Sequence, residues 1–298
     1  MEKRVSFYSE GSKVAGTLFV PDDLPKGQKR GAIIYASGFT GVRDTTMLEL
    51  SRWLCRHGYV GLSLDFRGFG ESEGTRYRLL PMGQVEDVCN AITFLQQQPC
   101  VDENGIGLIG ASFGGAIVVY AAAVDSRAKC VVAMMPVGNG RKWLRSFRNN
   151  WEWLAFLEEL EKDQVRRVLE GTSKMVDWTQ HIMVADDALK AWNEERIKMN
   201  PDTCMELPME TAQAVMDFSP DEVVHRIAPR PILFILAGRD IYAPAELGKE
   251  VYEKAKEPKK LVAVPNAIHY DLLYEKQYAQ LGMDETLAWF KQYMPHPA

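Results

Sequence analysis

Apolar and polar positions change in blocks along most of the chain, and these blocks predict a regular order of strands and helices. Short runs that are almost wholly apolar are typical of strands buried on both faces of a sheet. Such runs occupy residues 31–36, 59–64, 106–109, 129–134, 231–236 and 260–264. Segments between the early runs repeat apolar residues every three to four positions, the spacing of an amphipathic helix. This alternation predicts βαβ units and a mostly parallel sheet, the α/β fold class.

The two ends of the chain depart from this alternation. Residues 4–8 and 14–19 are strand-like, and no helical segment separates them. Consecutive strands joined by a short turn pair antiparallel, so we expect a hairpin at one edge of the sheet. An amphipathic helix over about residues 284–293 is predicted to close the chain.

The alternation stops between about residues 137 and 220. This stretch is charged, has a helical pattern and offers no strand-like apolar run. It holds five of the seven tryptophans, Trp143, Trp151, Trp153, Trp178 and Trp192. We interpret residues 137–220 as a helical cap, or lid, inserted into an α/β core formed by residues 1–136 and 221–298. The tryptophans either line a pocket for an apolar or aromatic group or pin short helices to the core.

Composition and charge exclude several classes of function. The 298 residues include 35 basic and 40 acidic side chains, a net charge of −5, so a basic face for nucleic acid is not expected. The N-terminus is polar and no run of 18 apolar residues occurs, which predicts neither a signal peptide nor a membrane span. We therefore expect a cytoplasmic protein without nucleic-acid or membrane partners.

The five cysteines follow no metal-binding or disulfide pattern. They are Cys55, Cys89, Cys100, Cys130 and Cys204, an odd number without a CxxC pair. In a reducing cytosol this pattern predicts free, buried thiols and no zinc site.

A glycine-rich turn carries the first candidate for chemistry. Gly110-Ala111-Ser112-Phe113-Gly114 matches G-x-S-x-G, and it lies between a predicted buried strand and a helix of small residues over 115–124. This is the setting of a nucleophile elbow, which holds its serine in a strained conformation and leaves no room for bulk beside it. The alternative interpretation is an ordinary strand-to-helix turn with an N-cap serine.

A serine hydroxyl needs a base to remove its proton and an acid to orient that base. His269 follows a late strand at its carboxyl end, and Asp240 follows the preceding strand after the turn residue Gly238. The other histidines lie at a helix end, in the insertion, in a polar segment and in the tail: His57, His181, His225 and His296. We therefore predict a catalytic triad of Ser112, Asp240 and His269.

An oxyanion hole requires two backbone N–H groups aimed at the charge that develops on the substrate. We predict that one belongs to Phe113, directly after the serine, and the other to the loop after the strand at 31–36. In that loop Phe39 is the first choice and Thr40 the second.

The motif at Gly110–Gly114, followed in order by Asp240 and His269, resembles the α/β-hydrolase superfamily, whose triad follows the same chain order. A second segment, Asp65-x-Arg67-Gly68-x-Gly70-x-Ser72, is similar to a loop of many esterases, dienelactone-hydrolase relatives and Xaa-Pro dipeptidyl-peptidase-like proteins. The resemblance implies a mainly structural role for this loop.

One position departs from the pattern of many such hydrolases. They have His-Gly in the oxyanion loop, whereas this chain has Ser37-Gly38. The loop histidine usually supports backbone geometry, so the departure bears on the subfamily and leaves the mechanism unchanged.

The resemblance implies a serine esterase that uses neither cofactor nor metal. We expect it to cleave a small-to-medium, partly apolar carboxylic ester through an acyl-enzyme. The same triad would serve a carbon–carbon hydrolase of β-diketones, an amidase or peptidase, or an acyltransferase. A non-catalytic ligand-binding protein on this scaffold is an alternative from another class. The oligomeric state stays open, a homodimer included.

Overall fold

The structure is a computed structural model and describes residues 1–43, 48–199 and 203–294; His296 lies outside these ranges. Eight strands form the main sheet: β1 (Glu2–Ser9), β2 (Ser12–Phe19), β3 (Arg30–Ala36), β4 (Val60–Leu64), β5 (Val101–Ala111), β6 (Ala128–Met134), β9 (Ile232–Ala237) and β10 (Lys259–Val264). Their spatial order is β1-β2-β4-β3-β5-β6-β9-β10. The pairs β1–β2 and β2–β4 are antiparallel and the other five are parallel. The predicted hairpin edge and mostly parallel sheet are thus confirmed.

Helices follow most of the parallel strands and cover the sheet. Those of the sheet-forming parts are α1 (Leu48–Arg56), α2 (Pro81–Gln96), α3 (Phe113–Val124), α10 (Ala245–Lys254), α11 (Asp271–Tyr274) and α12 (Lys276–Tyr293). The strands β3 and β5 lie inside the sheet, and their apolar residues are fully buried, for example Ile33 and Leu108. Burial on both faces explains why these strands are continuous apolar runs in the sequence.

Between β6 and β9 the chain is mainly helical. This part contains α4 (Gly140–Ser146), α5 (Asn150–Glu170), α6 (Trp178–His181), α7 (Asp187–Met199), α8 (Glu210–Met216), α9 (Pro220–Val223) and a 3₁₀ turn (Val224–Ile227). It also contains two short antiparallel strands, β7 (Met175–Asp177) and β8 (Glu206–Pro208). The sequence pattern did not indicate these strands, because three residues are too few to display an alternation.

The loop after β4 is held by a buried carboxylate. Asp65 accepts a hydrogen bond from the backbone N–H of Arg43 at 2.7 Å and forms an ion pair with the Arg43 guanidinium; both side chains are 2% exposed. Ser72 donates to the Asp65 carbonyl at 2.6 Å and accepts from the N–H of Ala15 at 2.8 Å. These contacts tie the loop to β2 and to the turn after β3, consistent with a structural role.

Arg67, from the same loop, is anchored to helix α2. Its backbone N–H and its Nε donate to the two carboxylate oxygens of Asp87 at 3.0 and 2.9 Å. Burial raises the pKa of the Asp87 carboxyl, and the contacts with Arg67 offset part of that effect. Arg67 therefore offsets part of the cost of burying the carboxylate of Asp87 in α2.

In the described part of the chain, no helix is both long and apolar enough to cross a bilayer.

Gly70 is predicted to be indispensable to this loop. It has a φ of 51°, and a Cβ there would overlap the carboxylate of Asp65. Gly70→Ala should lower the free energy of unfolding by at least about 3 kcal/mol, because it displaces one partner of a buried ion pair. Urea-induced unfolding measures this change.

Gly171→Ala is the matched control, since Gly171 has a φ of 74° but no atom within 4 Å of its Cβ position. It should cost only about 1 kcal/mol, the strain of a left-handed residue. Equal losses for the two variants would contradict the role assigned to Asp65.

Candidate active site

Ser112 occupies a strained turn between β5 and α3. Its φ of 57° and ψ of −122° lie outside the usual regions for a residue with a side chain. Its N–H donates to the carbonyl of Met134 at 2.8 Å, and its own carbonyl accepts the N–H of Gly115 at 3.0 Å. Such strain persists only where the surroundings over-determine the conformation, and it is concentrated at functional sites.

The glycines on either side of Ser112 make this turn sterically feasible. A Cβ at Gly110 would overlap the carbonyl oxygen of Gly114, and a Cβ at Gly114 would overlap the carbonyl oxygen of Ala36. The backbones of β3, β5 and α3 can therefore approach closely only with glycine at both positions.

His269 and Asp240 form a buried hydrogen-bonded pair. Nδ1 of His269 lies 2.6 Å from Oδ2 of Asp240, and both side chains are nearly inaccessible to solvent. The other carboxylate oxygen accepts the backbone N–H groups of Tyr242 and Ala243, both at 2.8 Å. A carboxylate can only accept, so Nδ1 carries the ring proton and Nε2 keeps a free lone pair, the tautomer that can take up a proton.

The pair forms because two adjacent parallel strands end at the same edge of the sheet. Asp240 follows β9 and His269 follows β10, which are neighbours. The N–H of Gly238 donates to Val264 and that of Arg239 to Ala267, both at 2.9 Å. A Cβ at Gly238 would lie 2.5 Å from the carbonyl oxygen of Pro265, so glycine is needed for the two loops to meet.

Ser112 and His269 border one cavity with about 530 Å³ of empty volume, its open mouth included. The cavity is lined mainly by apolar and aromatic residues, including Trp178, Met183, Leu189, Trp192, Tyr270 and Leu273. Within the described residues, no hydrogen bond joins the hydroxyl of Ser112 to the ring of His269. In ligand-free enzymes the bond between a nucleophile and its base is commonly long and tightens when substrate binds.

The loop after β3 passes beside Ser112. A Cβ at Gly38 would lie 3.4 Å from Cβ of Ser112 and 4.0 Å from its Oγ. The loop turns sharply here, with Thr40 at a φ of 56° and the N–H of Gly41 donating to the Gly38 carbonyl at 2.9 Å. Phe39, directly after Gly38, also borders the cavity. The structure thus brings the predicted oxyanion loop next to the predicted nucleophile.

Phe113 is the first residue of α3, so its N–H has no carbonyl partner within the helix. The partial positive charge of a helix N-terminus adds to the attraction of such an N–H for an anion. The ring of Phe113 packs edge-on against that of Phe39, with centroids 5.4 Å apart. Phe39 also contacts the rings of Trp143 and Trp178, which come from the mainly helical part.

The five tryptophans of the 137–220 stretch lie in different environments. Trp178 and Trp192 border the cavity. Trp143 is buried and its Nε1 donates to the Tyr242 carbonyl at 2.5 Å. Trp153 is half-buried and Trp151 is 74% exposed. Each of the two interpretations of these tryptophans therefore holds for some of them.

His181 is not among the residues that border the cavity, and its Nδ1 lies 3.2 Å from the Asp177 carbonyl.

Two tyrosines of the cavity were not identified from the sequence. The rings of Tyr242 and Tyr270 pack edge-on against His269, with centroids 5.7 and 5.3 Å from the imidazole. The hydroxyl of Tyr242 donates to Asp186, and burial together with that carboxylate raises the pKa of Tyr242. Tyr242 follows Asp240 by two positions and Tyr270 follows His269 directly. This proximity in the chain is the sequence signal that could have identified them.

All five cysteines are free, as the sequence predicted. Cys130 and Cys204 are buried, whereas Cys55, Cys89 and Cys100 are half-buried. Burial raises the pKa of the Cys55 thiol to about 11 and that of Cys89 to about 12, so both stay protonated at neutral pH and are weak nucleophiles. The described residues contain no cluster of three or more histidine, cysteine or acidic side chains that could hold a metal ion.

Asp240→Asn is predicted to move the ring proton of His269. The amide oxygen of the asparagine should stay with the two backbone N–H groups, which turns its NH₂ toward Nδ1. Because Nδ1 must then accept, the proton should move to Nε2. Nitrogen-15 NMR of the imidazoles reports the tautomer, and His269→Gln assigns the signals. The signals of His181 should not change. A proton that remains on Nδ1 of His269 would contradict the geometry described.

Comparison with known proteins places the chain in a family. Residues 10–265 match the X-Pro dipeptidyl-peptidase (S15) family. An uncharacterized 31.7 kDa protein from the traX-finO intergenic region of Escherichia coli is 31% identical over 273 residues, covering 91% of this chain and 94% of that protein.

Two fungal relatives carry functional names. The polyketide transferase grgF of Penicillium is 26% identical, with 89% of this chain and 88% of that protein covered. The thiohydrolase aneE of Aspergillus aculeatus is 24% identical, with 89% and 85% covered.

The crystal structure of the α/β-hydrolase GrgF from Penicillium shares the fold. It has a TM-score of 0.81 and 24% sequence identity, and the match covers 99% of each chain. Because the family match spans residues 10–265, most of the sequence, and the fold is similar to that of an α/β-hydrolase, the chain belongs to the X-Pro dipeptidyl-peptidase (S15) family within the α/β-hydrolase superfamily.

Proposed function

We propose that the protein is a serine hydrolase that cleaves carboxylic esters through an acyl-enzyme. One observation carries the proposal. The strained Ser112 borders the same cavity as His269, whose Nδ1–H is held by Asp240. In this proposal Ser112 is the nucleophile, His269 the general base and Asp240 the acid that orients the base.

The first half of the reaction forms the acyl-enzyme. Oγ of Ser112 attacks the substrate carbonyl while Nε2 of His269 takes up the hydroxyl proton. The N–H groups of Phe113 and Phe39 stabilise the oxyanion of the tetrahedral intermediate. When the intermediate collapses, the bond to the alcohol breaks and His269 returns the proton to the departing oxygen.

The second half releases the acid. A water molecule attacks the acyl carbonyl, His269 accepts its proton, and the bond to Oγ of Ser112 breaks as the proton passes back to that oxygen. Asp240 stabilises the imidazolium at each step, and the hydrogen bonds from two backbone N–H groups and the ring N–H hold its carboxylate in position.

We expect a small-to-medium, partly apolar substrate, because the lining of the cavity is mainly apolar and aromatic. Trp178 and Trp192 offer flat apolar surfaces and Leu189 and Leu273 add aliphatic ones, which suit a hydrocarbon or aromatic acyl group.

A second candidate function is acyl transfer, or hydrolysis, from a thioester. The relatives named polyketide transferase and thiohydrolase favour it. The residues and the first half of the reaction would be unchanged, except that a thiol would leave. An alcohol or amine would replace water in the second half of a transfer.

Ser112→Ala tests the nucleophile. Hydrolysis of p-nitrophenyl butyrate should fall at least about 10³-fold, because the acyl-enzyme cannot form. Labelling by a fluorophosphonate probe should disappear, and peptide mapping of the labelled wild type should identify Ser112. The thermal unfolding midpoint should change little.

Ser126→Ala is the control, since Ser126 is an exposed serine of the same chain. It should leave both activity and labelling intact. Activity retained in Ser112→Ala would refute the proposed nucleophile. Tight ligand binding without any product would instead favour a non-catalytic binding protein.

The fate of the acyl group separates hydrolysis from transfer. With p-nitrophenyl butyrate and with a butyryl thioester of N-acetylcysteamine, we expect butyric acid as the main product even when glycerol or a primary amine is added. Chromatography of the products measures the partition. A faster release of the leaving group upon addition of an acceptor, together with a dominant transfer product, would favour the transferase instead.

A further inference from the structure

The outward face of helix α5 exposes an unusual amount of apolar surface. The helix packs inward through Phe156 and Leu160, which are buried. On its solvent side five large apolar side chains are more than half exposed: Trp151, Leu154, Val165, Val168 and Leu169. Large apolar side chains gathered on one exposed helix face are a sign of an interaction site.

Six residues form one stripe along this face. They are Trp151, Leu154, Glu158, Lys162, Val165 and Leu169, and they are called the outer stripe. Each is three or four positions from the next, so they lie on one side of an α-helix. The stripe has two apolar residues at either end and a pair of opposite charges in the middle. The side chains of Glu158 and Lys162 are 71% and 77% exposed, and Oε2 of Glu158 lies 3.9 Å from Nζ of Lys162.

The outer stripe is complementary to a second outer stripe that runs in the opposite direction. Trp151 and Leu169, like Glu158 and Lys162, lie symmetrically about position 160, whereas Leu154 and Val165 depart from that symmetry by one position, about 1.5 Å of helix rise. A second helix running antiparallel would therefore place Trp151 against Leu169 and bring Leu154 next to Val165. The same register places Glu158 of each copy against Lys162 of the other. Every contact then occurs twice, which is the requirement of an interface with two-fold symmetry.

We propose that α5 packs antiparallel against α5 of a second copy of this chain, in the register centred on position 160. The four apolar residues of each outer stripe lose their exposure to water, and two ion pairs between the copies fix direction and register. Glu161 is exposed and lies at the edge of this face, beside Glu161 of the second copy. Solvent there screens the repulsion between the two carboxylates. The proposal does not depend on the proposed function.

The length of the helix sets the strength of this association. A helix of 21 residues is about 31 Å long, and one helix face buries less area than a standard protein interface. The dimer should therefore be concentration-dependent, with a dissociation constant on the order of micromolar.

A lipid surface is the less suitable partner for this face. Helix α5 contains six acidic and three basic side chains, a net charge of −3, so an anionic membrane would repel it. Helices that lie on membranes are typically rich in lysine and arginine on their polar face. The charged pair in the middle of the outer stripe would also have to enter the lipid, whereas in the antiparallel pair it has a partner of opposite charge.

Charge exchange across the interface provides the decisive experiment. Glu158→Lys and Lys162→Glu should each raise the dissociation constant of the homodimer at least about fivefold, because like charges then face each other. Sedimentation velocity over a range of concentrations measures the constant. The double variant Glu158→Lys/Lys162→Glu should return to within about threefold of wild type, since it restores opposite charges.

Mixing the two single variants excludes effects within one helix. In a heterodimer of Glu158→Lys with Lys162→Glu, both facing pairs are again of opposite charge, although each helix keeps its own like-charged pair. The mixture should therefore dimerise more tightly than either variant alone. Failure to form the heterodimer would overturn the proposed register.

The apolar contacts are tested separately. Leu154→Asp and Val165→Asp should abolish the dimer, whereas Val124→Asp, an exposed apolar residue on α3, should leave it intact. Far-ultraviolet circular dichroism should match wild type in all three. A wild-type protein that stays monomeric up to about 200 µM, some hundredfold above the expected constant, would overturn the proposal. So would flotation with phosphatidylcholine vesicles that Leu154→Asp abolishes.

Discussion

The close approach of three backbone segments around Ser112 is the constraint on which the candidate site depends. Gly110 and Gly114 leave no space for a Cβ, so β5 can turn into α3 directly against the end of β3. The N–H of Ser112 is held by Met134 of the neighbouring strand. A strained residue costs about 1–3 kcal/mol, and buried strands on both sides supply the rigidity that keeps it in place. The same packing places the N–H groups of the helix start beside the serine.

Parallel pairing supplies the second part of the site. Because β9 and β10 are neighbours and run in the same direction, their following loops emerge at one edge and hydrogen-bond to each other. Asp240 is held by two backbone N–H groups and therefore presents one fixed oxygen to His269. Both side chains are nearly excluded from water, which strengthens their electrostatic interaction. The pair is thus oriented before any substrate arrives.

The mainly helical part gives the cavity its chemical character. Trp178, Leu189 and Trp192 come from it, and together with Tyr270 they make the lining apolar and aromatic. The hydrogen bond from Tyr242 to Asp186 connects the loop that contains Asp240 to the mainly helical part, next to the start of α7. Helix α5 belongs to the same region, with one face packed inward and the other facing solvent. The region would thus serve both substrate binding and, in the dimer that we propose, association.

The sequence by itself determined the alternation of strands and helices, the glycine-flanked turn at Ser112 and the chain order of Asp240 and His269. These features are local: burial on both faces makes a strand continuously apolar, and a strained turn requires glycine beside it. Only the tertiary structure decided which tryptophans border the cavity, and that Tyr242 meets Asp186, which is 56 positions away. It also revealed β7 and β8, whose three residues each are too few for a pattern. Contacts of this kind depend on how distant segments pack against each other, and local spacing in the chain carries no record of that packing.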